Sequence, residues 1–443
     1  MNRIYFSKYT VITIVFTLAV VVRVLFSLYQ PNARITADSV GYFDLGAQMI
    51  KNPKLETLIS EFRTPLYPVF LASLSNVLGF HGENIYDSLF ISVGYTIADV
   101  QSIMGVVGVM LLLLLLVQMR FSNKTLLTLL IFTALNILVF YWERSLLTEG
   151  LATTTLLLYL VFFSRTLQSP NSKNFILLWM SYGVNFLLRP AFMFLPIVTL
   201  PFLIIPCKKR SEKINVYVII LMSCLLPALY IAGNTMYHNY KGIQHVSDID
   251  VLGRILEFDT PIEAGKKNRY FYDKVTDYRS RKGNPMPFEF INTYDASMYT
   301  NTTRMNELQA FTRSVVFSDL SSYVAHAFST IPQAMTDVSP FIKIGGLGGL
   351  RIFFSRLLAL YRALLPVTLL IFPLYPVAIY LLYRKASVRR ILLATIGSII
   401  VSQIVLTVLV VYREDYGRLF ASIQPLLFVF IIGTLQELST IKK

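Results

Sequence analysis

The chain has 443 residues, of which 55% are hydrophobic and only 15% charged, against about 25% charged in an ordinary soluble protein. That deficit excludes a soluble globular domain and points to a polytopic membrane protein. The formal net charge of +15 would suit nucleic acid, but its placement along the chain argues against that partner. Cys207 and Cys224 are too few for a disulfide framework and lack metal-type spacing, and the four histidines are scattered.

Arg3 and Lys8 precede an apolar run over 9–29. It is longer than a signal-peptide core of about 7–15 residues and no small-residue cleavage site follows. It is therefore read as an uncleaved first span, with Arg23 snorkelling to its outer end. The next apolar stretch, "TPLYPVFLASLSNVLGF" over 64–80, is short and holds two prolines. Leu66, Phe70, Leu74, Val77 and Leu78 keep helical spacing, which predicts an interfacial helix lying flat on the bilayer. Further spans are expected over 97–117, 125–141, 146–164, 174–188, 190–206, 215–233, 361–382, 391–411 and 419–437, since a span needs about 20 apolar residues. The pair 174–188 and 190–206 reads as a tight hairpin at Arg189, with Pro190 opening the second helix.

The fold class expected is an all-α membrane protein of about ten transmembrane helices, with juxtamembrane helices and an extracytoplasmic loop unit. Its parts are an N-terminal transmembrane module (1–233, with a first outer loop over 30–96), a loop region (234–360) and a C-terminal set of spans (361–443). The loop region is expected to be helical over 305–330. "GGLGGLR" lacks the Lys-Ser/Thr ending of a phosphate loop and reads as a hinge before a basic interfacial helix over 351–360, whose Arg351, Arg356 and Arg362 follow the headgroup layer. If 64–80 does not cross, the inner segments hold sixteen basic residues and one acid, Glu212, and the rest of the chain balances at 24 basic and 24 acidic. The whole excess then lies on one side, as the positive-inside rule expects. Both termini are placed in the cytoplasm, in a plasma or inner membrane whose active face points outward.

The outer surface gathers Asp38, Asp44, Glu61, Arg63, Glu143, Arg144, Glu149, Arg189, Arg413, Glu414, Asp415 and Arg418. Glu149 lies about a turn inside a span, where ionisable groups are costly, within reach of Arg144. Acids and arginines together suit one chemistry. A carboxylate takes a proton from an acceptor hydroxyl, while arginines hold a phosphate and stabilise it as it leaves. Outside the cell the natural phosphate donor is lipid-linked, and an inverting displacement needs its base opposite the leaving group. Two other readings remain: a transporter or flippase of lipid-linked glycans, disfavoured by the nearly charge-free spans 97–117 and 391–411 and by the lack of duplicated halves, and a polymerase or ligase using lipid-pyrophosphate glycans.

The order of motifs resembles the GT-C glycosyltransferases, in particular their protein mannosyltransferase and aminoarabinose transferase branch. The carriers are "ADSVGYFDLG" after the first span, "FRTPLYPVFLASL" entering the juxtamembrane helix, "RSLLTEGLATTTLLL" opening a span, "FLLRPAFMFLP" between two short spans and "YGRLFASIQPLLFVF" near the end. The resemblance implies a transferase moving a monosaccharide from a polyprenyl-phosphate donor to a glycan, lipid or protein acceptor. It implies Asp38 as the general base, Arg63 at the lipid phosphate, Glu149 and Arg189 as polar groups that support the site, and Arg418 as a further phosphate or site-shaping contact. Beside these, the reading of the outer loops takes Asp44 and Glu149 as candidate second acids and Arg189 as a candidate third arginine for the donor phosphate. Ser39 stands where the family often has a second acid, Phe62 separates Glu61 from Arg63, and Thr64 replaces a proline. A divalent metal is the one cofactor this pattern leaves open, and no residue is assigned to it.

Overall fold

The structure, a computed structural model, describes residues 8–80, 88–281, 286–294, 296, 301–340, 342–345 and 348–441. Among these, every regular element is a helix, apart from one isolated parallel bridge between Arg34 and Ser145. Among the described residues, seven helices are long and apolar enough to cross a membrane: Thr10–Tyr29, Ile91–Gln118, Glu149–Gln168, Arg210–His238, Gly349–Arg384, Val388–Val410 and Tyr416–Thr440. Glu149–Gln168, Val388–Val410 and Tyr416–Thr440 are each 78% buried in their apolar windows, whereas Arg210–His238 is 28% buried. These three form the centre of the bundle, and Arg210–His238 lies at its outer rim.

The differences from the ten expected spans have local causes. The span expected over 125–141 is two helices, Asn123–Ala134 and Ile137–Glu143, bent by 47°. Asn136 makes the break, its side chain accepting the Leu138 amide at 3.1 Å as an N-cap. Ser172–Leu188 is a 17-residue helix. The segment after it is three short helical pieces, Pro190–Phe194, Leu195–Thr199 and Leu200–Ile204. Pro190, Pro196 and Pro201 each lack an amide donor and restart the helix, so no regular span forms. The expected interfacial helix over 351–360 is not separate: Gly349–Leu364 runs through a 3₁₀ stretch directly into Ile371–Arg384. Gly348 caps its start with φ +110°, a conformation that favours glycine; Gly346 and Leu347 of the expected hinge lie outside the described residues.

Arg23 does not snorkel. It is buried and grips Glu143 with two bonds, Nε to Oε2 at 2.8 Å and Nη2 to Oε1 at 2.6 Å. Inside apolar surroundings an unpaired charge is far costlier than a paired one, so the two residues, 120 positions apart, find each other. Gly105 lets them do so, because a Cβ there would collide with the Glu143 carboxylate.

Helix Ala37–Lys51 packs against Leu66–Val77, and Gly46 allows the close approach, since a Cβ there would overlap the Pro68 carbonyl. Above the bundle, Val246–Glu257, Arg269–Arg281, Pro287–Tyr294 and Thr302–Ser318 share a second hydrophobic cluster. Its buried members include Ile249, Leu252, Ile255, Phe271, Val275 and Phe290. The expected helix over 305–330 is broken at Asp319, whose side chain caps the next helix by accepting the Ser322 amide at 3.1 Å.

Candidate active site

Asp38 is the second residue of helix Ala37–Lys51. It does not cap that helix: Thr36 does, accepting the Ser39 amide at 3.3 Å while the Ser39 hydroxyl accepts the Thr36 amide at 3.0 Å. Ser39 is thus committed to the cap, which leaves the Asp38 side chain for longer-range work. Two sets of contacts fix where it points. The Arg34 amide donates to the Arg144 carbonyl and the Leu146 amide to the Arg34 carbonyl, tying the loop to the start of Glu149–Gln168. Tyr42, one turn on from Asp38, packs edge-on against Tyr67 with centroids 4.9 Å apart.

Arg63 is delivered by a clamped loop. The Tyr230 hydroxyl accepts the Ser60 amide at 3.1 Å and donates to the Ser60 carbonyl at 3.0 Å. Glu61 approaches His238 Nδ1 at 3.2 Å, and its carbonyl accepts the His245 amide at 2.8 Å. The Arg63 guanidinium lies 5.2 Å from the ring centroids of Tyr42 and of Phe62, a cation–π arrangement. Arg418 comes from the segment Tyr416–Leu419, at the head of the last span.

These side chains converge. Arg63 Nη2 donates to Asp38 Oδ1 at 2.7 Å and Arg418 Nη1 to Asp38 Oδ2 at 2.8 Å. Arg418 Nε is 3.4 Å from Glu149 Oε1 and 3.4 Å from Asp415 Oδ1. Glu149 Oε1 is 3.7 Å from Arg189 Nη2. Arg189 is buried, and neither of its terminal nitrogens has a hydrogen-bond partner. Burial would raise the pKa of Asp38, but Arg63 and Arg418 outweigh that and hold it at about 2.

Two cavities meet at this cluster. One, of 280 Å³, reaches from Arg189, Pro190 and Met193 along Leu406, Thr407 and Val410 of the central bundle. The other, of 330 Å³, is walled by Arg34, Trp142, Phe288, Asn292, Tyr412 and Asp415. Asp38, Arg63 and Arg418 line both.

Of the residues named from sequence, Asp38, Arg63, Glu149, Arg189 and Arg418 are brought together. Asp44 is not: six positions on, it is exposed and lines neither cavity. Glu149 does not pair with Arg144, which instead donates to Asp99 and the Pro31 carbonyl. Arg351, Arg356 and Arg362 line neither cavity. Asp250, which also lines both cavities, was missed; its stretch "SDIDVLG" has no sequence feature that separates it from an ordinary helix start. The residues present do not fit a divalent metal. Both Asp38 oxygens are held by guanidinium groups, and among the described residues no three His, Cys, Asp or Glu side chains are placed to share an ion.

The family model described as dolichyl-phosphate-mannose-protein mannosyltransferase matches residues 84–231, about a third of the chain. Among solved structures, the apo oligosaccharyltransferase of Archaeoglobus fulgidus is similar over 97% of this chain and 51% of its own, at 12% identity and a TM-score of 0.50. The chain spans about half the length of that protein. ArnT from Cupriavidus metallidurans, bound to undecaprenyl phosphate, is similar over 93% of this chain and 79% of its own, at 14% identity and a TM-score of 0.35. No curated protein sequence matches. The fold is that of the GT-C class of all-helical membrane proteins, as the order of the motifs implied.

Proposed function

We propose that this protein is a membrane glycosyltransferase that moves a monosaccharide from a polyprenyl-phosphate donor to an acceptor hydroxyl, with inversion at the sugar. The observation that carries this reading is the meeting of two cavities at one carboxylate–arginine cluster, one cavity entering from the apolar bundle and one from the outer loop unit. The name of the matching family model, which specifies a dolichyl-phosphate sugar, supports the donor class.

In this reading the prenyl chain lies along Leu406 and Val410, and the phosphate takes Arg189, Arg418 and Arg63. Arg189 has two unbonded terminal nitrogens, the fork that suits a phosphate. The acceptor enters past Phe288, Asn292 and Tyr412. Its hydroxyl oxygen bonds to the anomeric carbon as the bond from that carbon to the phosphate oxygen breaks. The bonding pair leaves on the phosphate, whose added charge the arginines stabilise. The acceptor proton passes to a carboxylate at the junction, where Asp38 stands as the resemblance implied. The charge distribution of the loops supports an outward orientation of the site.

Purified protein in liposomes, supplied with radiolabelled polyprenyl-phosphate monosaccharides and an envelope extract, tests this. Label should appear in the acceptor fraction, and Arg418→Met should abolish it. Transfer by Arg418→Met at the wild-type rate contradicts the assignment of the junction as the reaction centre.

A further inference from the structure

The outer cavity is built unlike the inner one. The inner cavity carries a long aliphatic wall, including Leu188, Leu406, Val410 and Val411. The outer cavity, of 330 Å³, has Trp142, Phe288 and Tyr412 on its wall, with Asn292 and Asp250 beside them. That volume falls within the range of about 300–1,000 Å³ for small-molecule sites, where aromatic walls carry a few placed polar groups.

One helix sets this wall. Val246–Glu257 carries Asp250 and Gly253 about one turn apart, on the same face. A Cβ on Gly253 would collide with Pro287 and with the Tyr412 Cβ, so the glycine lets both approach. Phe288 follows Pro287 and meets Tyr412 edge-on, with ring centroids 6.2 Å apart. Asn292 lies one turn on from Phe288 in helix Pro287–Tyr294. The ring pair, the amide and the carboxylate therefore stand together beside the junction.

Three carboxylates line this cavity, those of Asp38, Asp250 and Asp415. Arg418 contacts Asp38 and Asp415, and Arg63 adds a second bond to Asp38. Asp250 is half-buried, and among the described residues its carboxylate makes no hydrogen bond or ion pair. A polar group left so is completed by what binds beside it. Burial, with Asp415 nearby, raises its pKa well above the usual carboxylate range, and charged or neutral it keeps an oxygen that accepts. What completes it is a donor. Arg34, Arg63 and Arg418 line the same cavity and repel a cation, which leaves a hydroxyl.

Resting on the glycosyltransferase reading, we infer that the acceptor is itself a carbohydrate. Its terminal ring packs against Phe288, and a hydroxyl beside the attacking one donates to Asp250. The attacking hydroxyl faces the junction and Asp38, so the bonds made and broken are those already given. A sugar ring shows C–H groups on its faces and hydroxyls at its rim, and an aromatic wall beside an accepting oxygen meets both. A lipid acceptor would want the aliphatic wall of the inner cavity. A peptide acceptor is commonly held along a sheet edge, and no strand is present among the described residues.

Liposomes holding the full chain are supplied with radiolabelled polyprenyl-phosphate monosaccharides and an envelope extract. Mass spectrometry of the labelled product then identifies the hydroxyl that received the label. The expected product carries a sugar-to-sugar bond. Label on serine, threonine or a lipid hydroxyl overturns the inference, and that result needs no variant. The saccharide fraction of the extract serves next as the acceptor for kinetics. Phe288→Leu and Asp250→Ala should each raise its KM at least about fivefold and leave the donor KM within twofold. Phe288→Tyr keeps the ring and should keep the acceptor KM within twofold of the wild type. A Phe288→Leu enzyme with the wild-type acceptor KM overturns the site, as do variants that raise the donor KM instead. A wild type that transfers no sugar from any polyprenyl-phosphate donor overturns the glycosyltransferase reading itself, whereas label on a peptide or lipid leaves that reading standing.

Discussion

Replacing Arg189 with methionine removes, among the described residues, the guanidinium at the junction whose terminal nitrogens are both unbonded. Methionine keeps much of the side-chain volume, so the Pro190 turn and its packing should survive. Each hydrogen bond from a charged donor contributes about 1.5–3 kcal/mol, and a forked contact to phosphate makes two. Part of that gain is offset, because Arg189 gives up its attraction to Glu149, 3.7 Å away, when it turns to the ligand. A net loss of about 2–4 kcal/mol follows, or about 30- to 700-fold in affinity at 1.4 kcal/mol per tenfold. Arg189→Lys keeps the charge but not the fork and should lose about tenfold. The assay is binding of undecaprenyl phosphate to detergent-solubilised protein, with uncharged undecaprenol as the control for the chain alone. Undecaprenol should bind both variants as it binds the wild type. An Arg189→Met protein that unfolds like the wild type and binds undecaprenyl phosphate within twofold of it refutes the placement of the phosphate.

The buried pair of Arg23 and Glu143 gives a second expectation. Glu143→Gln strands the arginine and should destabilise by about 3–5 kcal/mol, while Arg23→Met with Glu143→Met recovers most of that loss; denaturant unfolding of the singles and the double measures it, and additive small effects contradict it. Gly46→Ala forces helix Ala37–Lys51 off the Pro68 carbonyl and should lower both thermal stability and sugar transfer. A wild-type-like alanine variant would show the approach to be looser than described. Asp248, which accepts from Tyr240 at 2.6 Å and Gln309 at 3.2 Å, is raised to about 6, burial outweighing those donors. A carboxyl whose folded value exceeds its unfolded one of about 3.9 costs stability as pH rises between them. Asp248→Asn should therefore raise the unfolding temperature at pH 7.5 more than at pH 4.5, and an equal change at both would refute this.

The helices were legible because the hydrophobic runs are long and the charges between them are one-sided. What escaped was set by side chains distant in sequence. Nothing near Arg23 announces Glu143, and the space they meet in is left open by Gly105, far from both in sequence. The break at Asn136 depends on one cap inside a run whose hydropathy looks continuous. That Asp38, Arg63, Glu149, Arg189 and Arg418 come together was legible because each flanks a span or juxtamembrane helix, so the membrane itself sets their level. Asp44 has the same sequence context as Asp38, but six residues turn it about 120° around the helix, away from the junction. Asp250 belongs to the loop unit, and its position depends on how that unit folds over the mouth, which local pattern does not encode.

If the proposed function holds, the junction breaks the bond between a sugar and a lipid phosphate. The most direct measurement supplies sealed proteoliposomes with a polyprenyl-phosphate sugar and an envelope extract, and follows free polyprenyl phosphate together with the anomeric configuration of the product. Polyprenyl phosphate should be released in step with sugar transfer, with the anomeric centre inverted. Lipid-linked sugar that crosses the bilayer intact, with no polyprenyl phosphate released, would contradict it and identify a transporter instead.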